Sequence, residues 1–243
     1  MTRPADLHFY FDPICPFAWM TSTWVRQVIA ARDYRVDWRF ISLRLLNADV
    51  DYSEHFPSNY EFGHTQGLRM LRVAARTRAE FGPDAVDALQ RSFGEHIFEI
   101  PPWENEAHRQ ATIGSPGHIA AILAVAGLPG ELADALDDTS WDKVILAETD
   151  EALALTGKDV GTPILHVDPP DGVAFFGPVI SRRPSDEEAA ELWDHVLALT
   201  RFPGFSELKR SLRERPQLKV LGVKAGEVGL QEDWHQGSRR LKR

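Results

Sequence analysis

The residues best suited to covalent chemistry stand in one run, Asp12-Pro13-Ile14-Cys15-Pro16-Phe17-Ala18-Trp19. It sets a cysteine between an alternating apolar segment and the first turn of an amphipathic stretch. Unpaired N–H groups and the dipole at a helix start favour the thiolate over the thiol, so the sulfur is expected to ionise below its reference pKa of about 8.5. A thiolate is both nucleophile and leaving group. A lone cysteine is more often a small core residue, but a Cys-Pro step that follows a strand and opens a helix lies where backbone donors point outward. Cys15 is the only cysteine of the chain. That count excludes a disulfide within the chain, a thiolate-rich zinc site and an intramolecular dithiol cycle.

The elements that must position this run are legible from periodicity. Leu7, Phe9 and Phe11 alternate with His8 and Tyr10 before Asp12-Pro13 breaks a strand. Phe17, Trp24, Val25, Val28 and Ile29 form one helical stripe, and Val36, Trp38 and Phe40 mark a second strand ending near Leu43. The opening is thus β-α-β. Helices are expected at 67–80, 83–98, 115–125 and 141–155, with a loop at Ile100-Pro101-Pro102-Trp103. Ser115-Pro116 reads as a cap with proline in the first turn. Strands resume at 163–167 and 173–176 around the turn Asp168-Pro169-Pro170-Asp171-Gly172, and Ser185 caps a helix whose first turn holds Asp186, Glu187 and Glu188. Residues 1–46 and 158–213 then form one α/β unit, 47–157 a helical insertion, and 214–243, ending in Arg239, Arg240, Lys242 and Arg243, a mobile tail.

Composition narrows the partners. Lysine and arginine total 27 against 36 acids, and the formal charge of -9 opposes a phosphate backbone, so no nucleic-acid partner is expected. No apolar run approaches the roughly twenty residues of a membrane span, and no secretory pattern opens the sequence. A cytoplasmic location is expected. The nine histidines include no pair with zincin spacing; His166 is expected to be a satisfied core or edge residue, and no metal site is expected. No glycine pattern cradles a phosphate, so no bound cofactor is expected.

The motif resembles the DsbA-type thioredoxin-like family, whose site is Cys-Pro-x-Cys at this location, and most closely its actinobacterial mycothiol-dependent nitroreductase branch. The matching residues are Asp12, Pro13, Cys15, Pro16, Trp19, Thr21, Ser22 and Trp24, with departures at Phe17 and Ala18. A second block runs through Asp159-Val160-Gly161-Thr162-Pro163, His166-Val167, Gly172 to Val179 and Ser181-Arg182, and a third from Glu187 to Arg210. The resemblance implies a thioredoxin-like fold with a helical insertion, and a cis Thr162-Pro163 bond that, with Gly161, faces Cys15 as the thiol-binding wall. It implies mycothiol as the thiol cosubstrate, a small electrophile such as a nitroaromatic, or a small disulfide, as substrate, and a possible homodimer. Ala18 stands where the second cysteine would be, by natural divergence or by an engineered replacement, and leaves a monothiol mechanism through Cys15. Phe17 and Trp19 are candidates to line a groove for flat substrates, Trp24 is expected in the core, and Thr21 and Ser22 are expected to bond back to their own helix. Two alternatives stay open: an enzyme like kappa-class glutathione transferases or hydroxychromene-carboxylate isomerases, which activates a thiol without redox cycling, and a non-catalytic thiol- or partner-binding protein.

Overall fold

A computed structural model describes residues 3–209, 212–214, 216–224 and 231–233. The chain order is β1 (Leu7–Phe11), α1 (Pro16–Ala31), β2 (Val36–Phe40), α2 (Leu43–Leu46), α3 (Tyr52–His55), α4 (Tyr60–Phe81), α5 (Pro83–Phe98), α6 (Glu106–Thr112) and α7 (Pro116–Val125). After a 3-10 segment at Gly130–Asp137 come α8 (Asp142–Thr156), β3 (Ile164–Val167), β4 (Val173–Phe176) and α9 (Asp186–Arg201). Short strands β5 (Leu212–Glu214) and β6 (Gln231–Asp233) pair antiparallel.

The main sheet has the order β2-β1-β3-β4. Strands β1 and β2 are parallel, joined by the α1 crossover as the β-α-β reading requires, and β3 and β4 form the expected antiparallel hairpin. Because side chains alternate across a strand, Leu7, Phe9, Phe11, Trp38, Phe40, Leu165 and Val167 share one apolar face. Trp24, Val25 and Val28 of α1 and Ala189, Trp193 and Leu197 of α9 pack into the same core. Trp24 is fully inside, its indole N–H donating to the Ala189 carbonyl at 2.9 Å.

The opposite face is mixed, with Tyr10 and Ile164 in a small apolar cluster with Ile41 and Ala152, beside His8, Arg39 and His166. Helix α8 covers it through Glu151, which accepts from the Tyr10 hydroxyl at 2.9 Å and from Arg39 at 2.7 Å. His8 and His166 face each other across β1 and β3 with ring centroids 5.7 Å apart. His166 is buried, but contrary to expectation it is not satisfied. Neither of its ring nitrogens makes a hydrogen bond of good geometry, although the Pro170 and Gly172 backbone lies near enough to favour its charged form slightly. Burial outweighs that pull and lowers its pKa, and burial likewise takes His8 down to about 4, helped by the Arg39 charge.

The sign of the resulting acid sensitivity follows from linkage. His8 titrates near 6.5 when unfolded, so between that pH and about 4 the unfolded chain binds more protons. Stability from this group is therefore full above about 6.5 and declines as pH falls, by up to about 3 kcal/mol. Asp12, described below, works in the opposite direction, so the comparison must be differential. Denaturant unfolding from pH 7 to 4 should give a shallower stability loss in His8→Gln than in the parent; parallel curves would remove His8 as the cause.

Helix boundaries depart from the pattern reading where packing overrides propensity. Helix α4 begins at Tyr60 and not at residue 67, because Gly63 and Gly67 lie against the cysteine loop: a Cβ on Gly63 would sit 3.7 Å from Ile14, and one on Gly67 would collide with the Asp12 carboxylate. Glycine disfavours helix by about 1 kcal/mol, but here it is what allows the approach. Helices α2, α3 and α6 are too short to show periodicity; their caps Ser42, Asp51 and Asn105 are their signal. Strand β2 ends at Phe40, not near Leu43, since Ser42 caps α2 and Leu43 opens it.

The expected mobile tail is corrected in part. Leu218 is fully buried in the main core, the Gln217 N–H donates to the Ser181 carbonyl at 2.7 Å, and Ser181 donates to Glu214 at 2.9 Å. A short 3-10 turn at Lys219–Leu221 follows and packs on α5. One buried leucine explains why a polar segment returns: its side chain fills a hole that water would otherwise meet. Leu218→Ala should cost about 2–5 kcal/mol in denaturant melts; a loss below about 0.5 kcal/mol would mean the segment is not anchored there. The basic end at Arg239, Arg240, Lys242 and Arg243 lies outside the described residues.

Candidate active site

The end of β1 turns sharply into α1. The Cys15 N–H donates to the Asp12 carbonyl at 3.0 Å across Pro13, and Pro16 occupies the first helical position, where it has no N–H to lose. Cys15 itself is the N-cap: its backbone is extended and its Sγ accepts the Ala18 N–H at 3.4 Å. The site is completed from the far end of the chain. The Thr162-Pro163 bond is cis, as expected, and the Thr162 carbonyl accepts from Cys15 Sγ at 3.4 Å. Thr162 is tied to β1 in turn by its hydroxyl, which donates to the Tyr10 carbonyl at 3.3 Å. Gly161 lies beside the Phe176 ring, where an added Cβ would be 3.6 Å from Cε2.

Electrostatics reverse one expectation. The helix start does favour the thiolate, through the Ala18 and Phe17 N–H groups, but burial of the sulfur outweighs them and the nearby Asp12 charge adds to it, pushing the thiol up to about 12. Cys15 is only 7% exposed. Sequence position locates the dipole but not the depth of the sulfur, and desolvation is the larger effect here. Asp12 is itself buried, its carboxyl pushed up to about 7 by desolvation, while single hydrogen bonds from the Ile14 and Leu43 N–H groups, at 3.0 and 2.8 Å, oppose the rise.

The aromatic residues divide differently from the sequence reading. Trp19 is buried, its indole lying where a Cβ on Gly94 would run into it and its N–H donating to Glu99 at 3.1 Å, so it cannot form an open groove. Phe17 and Pro16 remain half-buried at the rim. Ala18 is buried beside the sulfur. Ser22 bonds back to its helix through the Trp19 carbonyl at 2.7 Å as expected, whereas Thr21 reaches across to the Pro178 carbonyl at 2.7 Å. That contact links α1 to a second cis bond, Gly177-Pro178, which no sequence signal singled out. Glu99 and Asp12 were likewise assigned no role from sequence; the first lies distant in the chain, and the second shows only as a strand-end acid. Among the described residues there is no group of three or more His, Cys, Asp and Glu able to hold a metal ion, and no helix long and apolar enough to cross a membrane.

A cysteine N-cap facing the carbonyl of the residue before a cis-proline, on a β-α-β and β-hairpin sheet interrupted by helices, is the arrangement of the DsbA-type thioredoxin-like fold. The family model described as Rv2466c-like, mycothiol-dependent nitroreductase Rv2466c, matches residues 14–210, and the chain belongs to this family. It is similar to the uncharacterized protein Rv2286c of Mycobacterium tuberculosis, 28% identical over 207 residues, 83% of this chain and 80% of that protein. In fold it is similar to the probable DsbA oxidoreductase SCO1869 from Streptomyces coelicolor, with a TM-score of 0.50 at 15% identity over 87% of this chain and 97% of that one. The cytosolic disulfide reductase DsbM from Pseudomonas aeruginosa aligns with a TM-score of 0.48 at 16% identity, over 79% of this chain and 98% of that one.

Proposed function

We propose that the protein is a cytoplasmic monothiol oxidoreductase in which Cys15 forms and releases a mixed disulfide with a small thiol of the mycothiol class. The observation that carries this reading is the cysteine N-cap, with its sulfur held between the Ala18 N–H and the Thr162 carbonyl. In the reducing direction Cys15–SH and one small thiol RSH give two electrons and two protons to an electrophile, such as a nitro group, leaving Cys15–S–SR. A second RSH attacks the sulfur of the bound R group, restores Cys15–SH and leaves as RSSR. Ala18 cannot carry out that second step, so the resolving thiol comes from solution. A ligand extended beside Thr162 can pair with its backbone, which suits a substrate class recognised through its sulfur.

The test is intact mass spectrometry of the reduced protein incubated with the disulfide of mycothiol. One adduct per chain, removed by free mycothiol, supports the reading. No adduct under native conditions, with conjugation of a thiol to an electrophile still catalysed, would favour the transferase-like alternative; neither adduct nor turnover would leave a binding protein.

A further inference from the structure

We propose that His8 and His166 together hold one divalent transition-metal ion of the zinc class, on the face of the sheet opposite the main core. The two residues are directly paired on the antiparallel strands β1 and β3, and Asp37 of β2 is paired with His8 on its other side. Side chains at directly paired positions share one face, so Asp37, His8 and His166 form a row across three strands. Next in that row is Ala174 of β4, which carries only a methyl group. Ligand spacing along the chain does not reveal such a pair, because the register of the sheet brings the residues together.

Three features of the rings point to an ion. His8 Nδ1 and both ring nitrogens of His166 are buried without a well-formed hydrogen bond, although a neutral imidazole offers one donor and one acceptor. The ring centroids lie 5.7 Å apart at 89°, and zinc–nitrogen bonds of about 2.0 Å set two imidazoles on one tetrahedral ion with their centres about 5 Å apart. The outer edges of the rings have the neighbours that ligating histidines use. His8 Nε2 is 3.9 Å from Asp37, which accepts from Arg39 Nε at 2.9 Å, and the Pro170 and Gly172 backbone lies beside His166. A ligating histidine commonly turns its second nitrogen to a carboxylate or a backbone carbonyl. That orientation leaves His8 Nδ1 and one nitrogen of His166 for the ion. The charges felt by His8 are those of Asp37 and Glu151 against that of Arg39, which does not oppose a dication. Burial keeps both imidazoles neutral at pH 7, so no proton has to leave before they bind. Two protein donors, with water completing the shell, hold an ion reversibly, where a structural zinc takes four. The bound ion joins β1 to β3, the strands whose ends carry Cys15 and the Thr162-Pro163 wall.

The test titrates zinc chloride into the full-length Cys15→Ser protein by calorimetry at neutral pH, since that background removes the thiol as a competing ligand. One zinc ion per chain should bind about tenfold or more weakly in His8→Gln, in His166→Gln and, through the lost carboxylate, in Asp37→Asn. The double histidine variant should be no weaker than either single one, because one imidazole alone does not hold the ion. No zinc binding, or binding that both histidine variants leave unchanged, overturns the proposal. Should the variants fail to fold, cobalt chloride is added to the Cys15→Ser protein and followed by NMR: the largest paramagnetic shifts are expected on the His8 and His166 rings, and the largest shifts elsewhere overturn it. Neither readout involves the sulfur, a disulfide or an electrophile. Zinc binding without a mixed disulfide in the parent would reject the proposed function alone, and a mixed disulfide without zinc binding would reject this inference alone.

Discussion

Replacing Cys15 by serine should abolish the mixed disulfide completely and reduce thiol-dependent turnover to the spontaneous rate. The substitution is unusually clean because of where the residue sits. As the N-cap of α1, Cys15 accepts the Ala18 N–H through Sγ, and serine is among the preferred N-cap residues, with an oxygen that takes the same bond. Fold stability should therefore change by about 1 kcal/mol or less, which a denaturant melt of the variant checks. Chemistry is lost for a separate reason: an alcohol does not exchange with disulfides, whereas a thiolate does. An adduct that persists in Cys15→Ser cannot be covalent to sulfur, since the chain has no other cysteine, and would overturn the assignment of the reactive group.

The second large effect is a gain. Ala18→Cys should convert a protein that accumulates a mixed disulfide into one that releases its thiol and stores the two electrons' worth of oxidation as an internal disulfide. Positions 15 and 18 lie at the N-cap and third residue of α1, and Ala18 N is already 3.4 Å from the Cys15 sulfur. Cα atoms three apart at a helix start fall about 5 Å apart, within the range a disulfide spans. The introduced sulfur attacks Cys15 Sγ of the mixed disulfide, the S–S bond to the small thiol breaks, and that thiol leaves as its thiolate. Ala18 is buried, so the extra atom costs about 1–3 kcal/mol if the neighbours cannot move. Mass spectrometry under the conditions used for the parent should show the adduct replaced by a chain two hydrogens lighter. A stable adduct on the variant would mean that the geometry at α1 does not bring the two sulfurs together during exchange.

Both expectations depend on the thiol being reached, and the depth of the sulfur makes the site slow at neutral pH unless its proton is managed. With the thiol raised to about 12, only a small fraction is ionised near pH 7. The small thiol must therefore bring its own sulfur to the Thr162 carbonyl beside Cys15.

The reach of the sequence is best seen residue by residue. The Asp12 to Trp19 run identified the cysteine, the helix start and the missing second thiol, because each is a property of neighbouring residues. Gly161-Thr162-Pro163 could be placed opposite Cys15 only through family resemblance, since nothing local links positions 147 residues apart. The tail reading failed at Leu218 because a single apolar residue in a polar segment carries no periodicity, and only the hole it fills shows what it is for. His166 was misjudged and Trp19 stayed open between groove and core for the same reason: whether an imidazole finds a partner, and where an aromatic ring packs, depends on helices and strands distant in the chain.

The opening motif, then, was determined by sequence alone: which atom can react, which end of a helix holds it, and which partner it lacks. The ionisation of that atom was decided by tertiary structure. A helix dipole is set by a few consecutive residues and can be read from them, whereas desolvation is the summed effect of the Thr162 loop and the core side chains packed around one sulfur. Where the two act in opposite senses, burial wins, and burial is a property only the folded chain possesses.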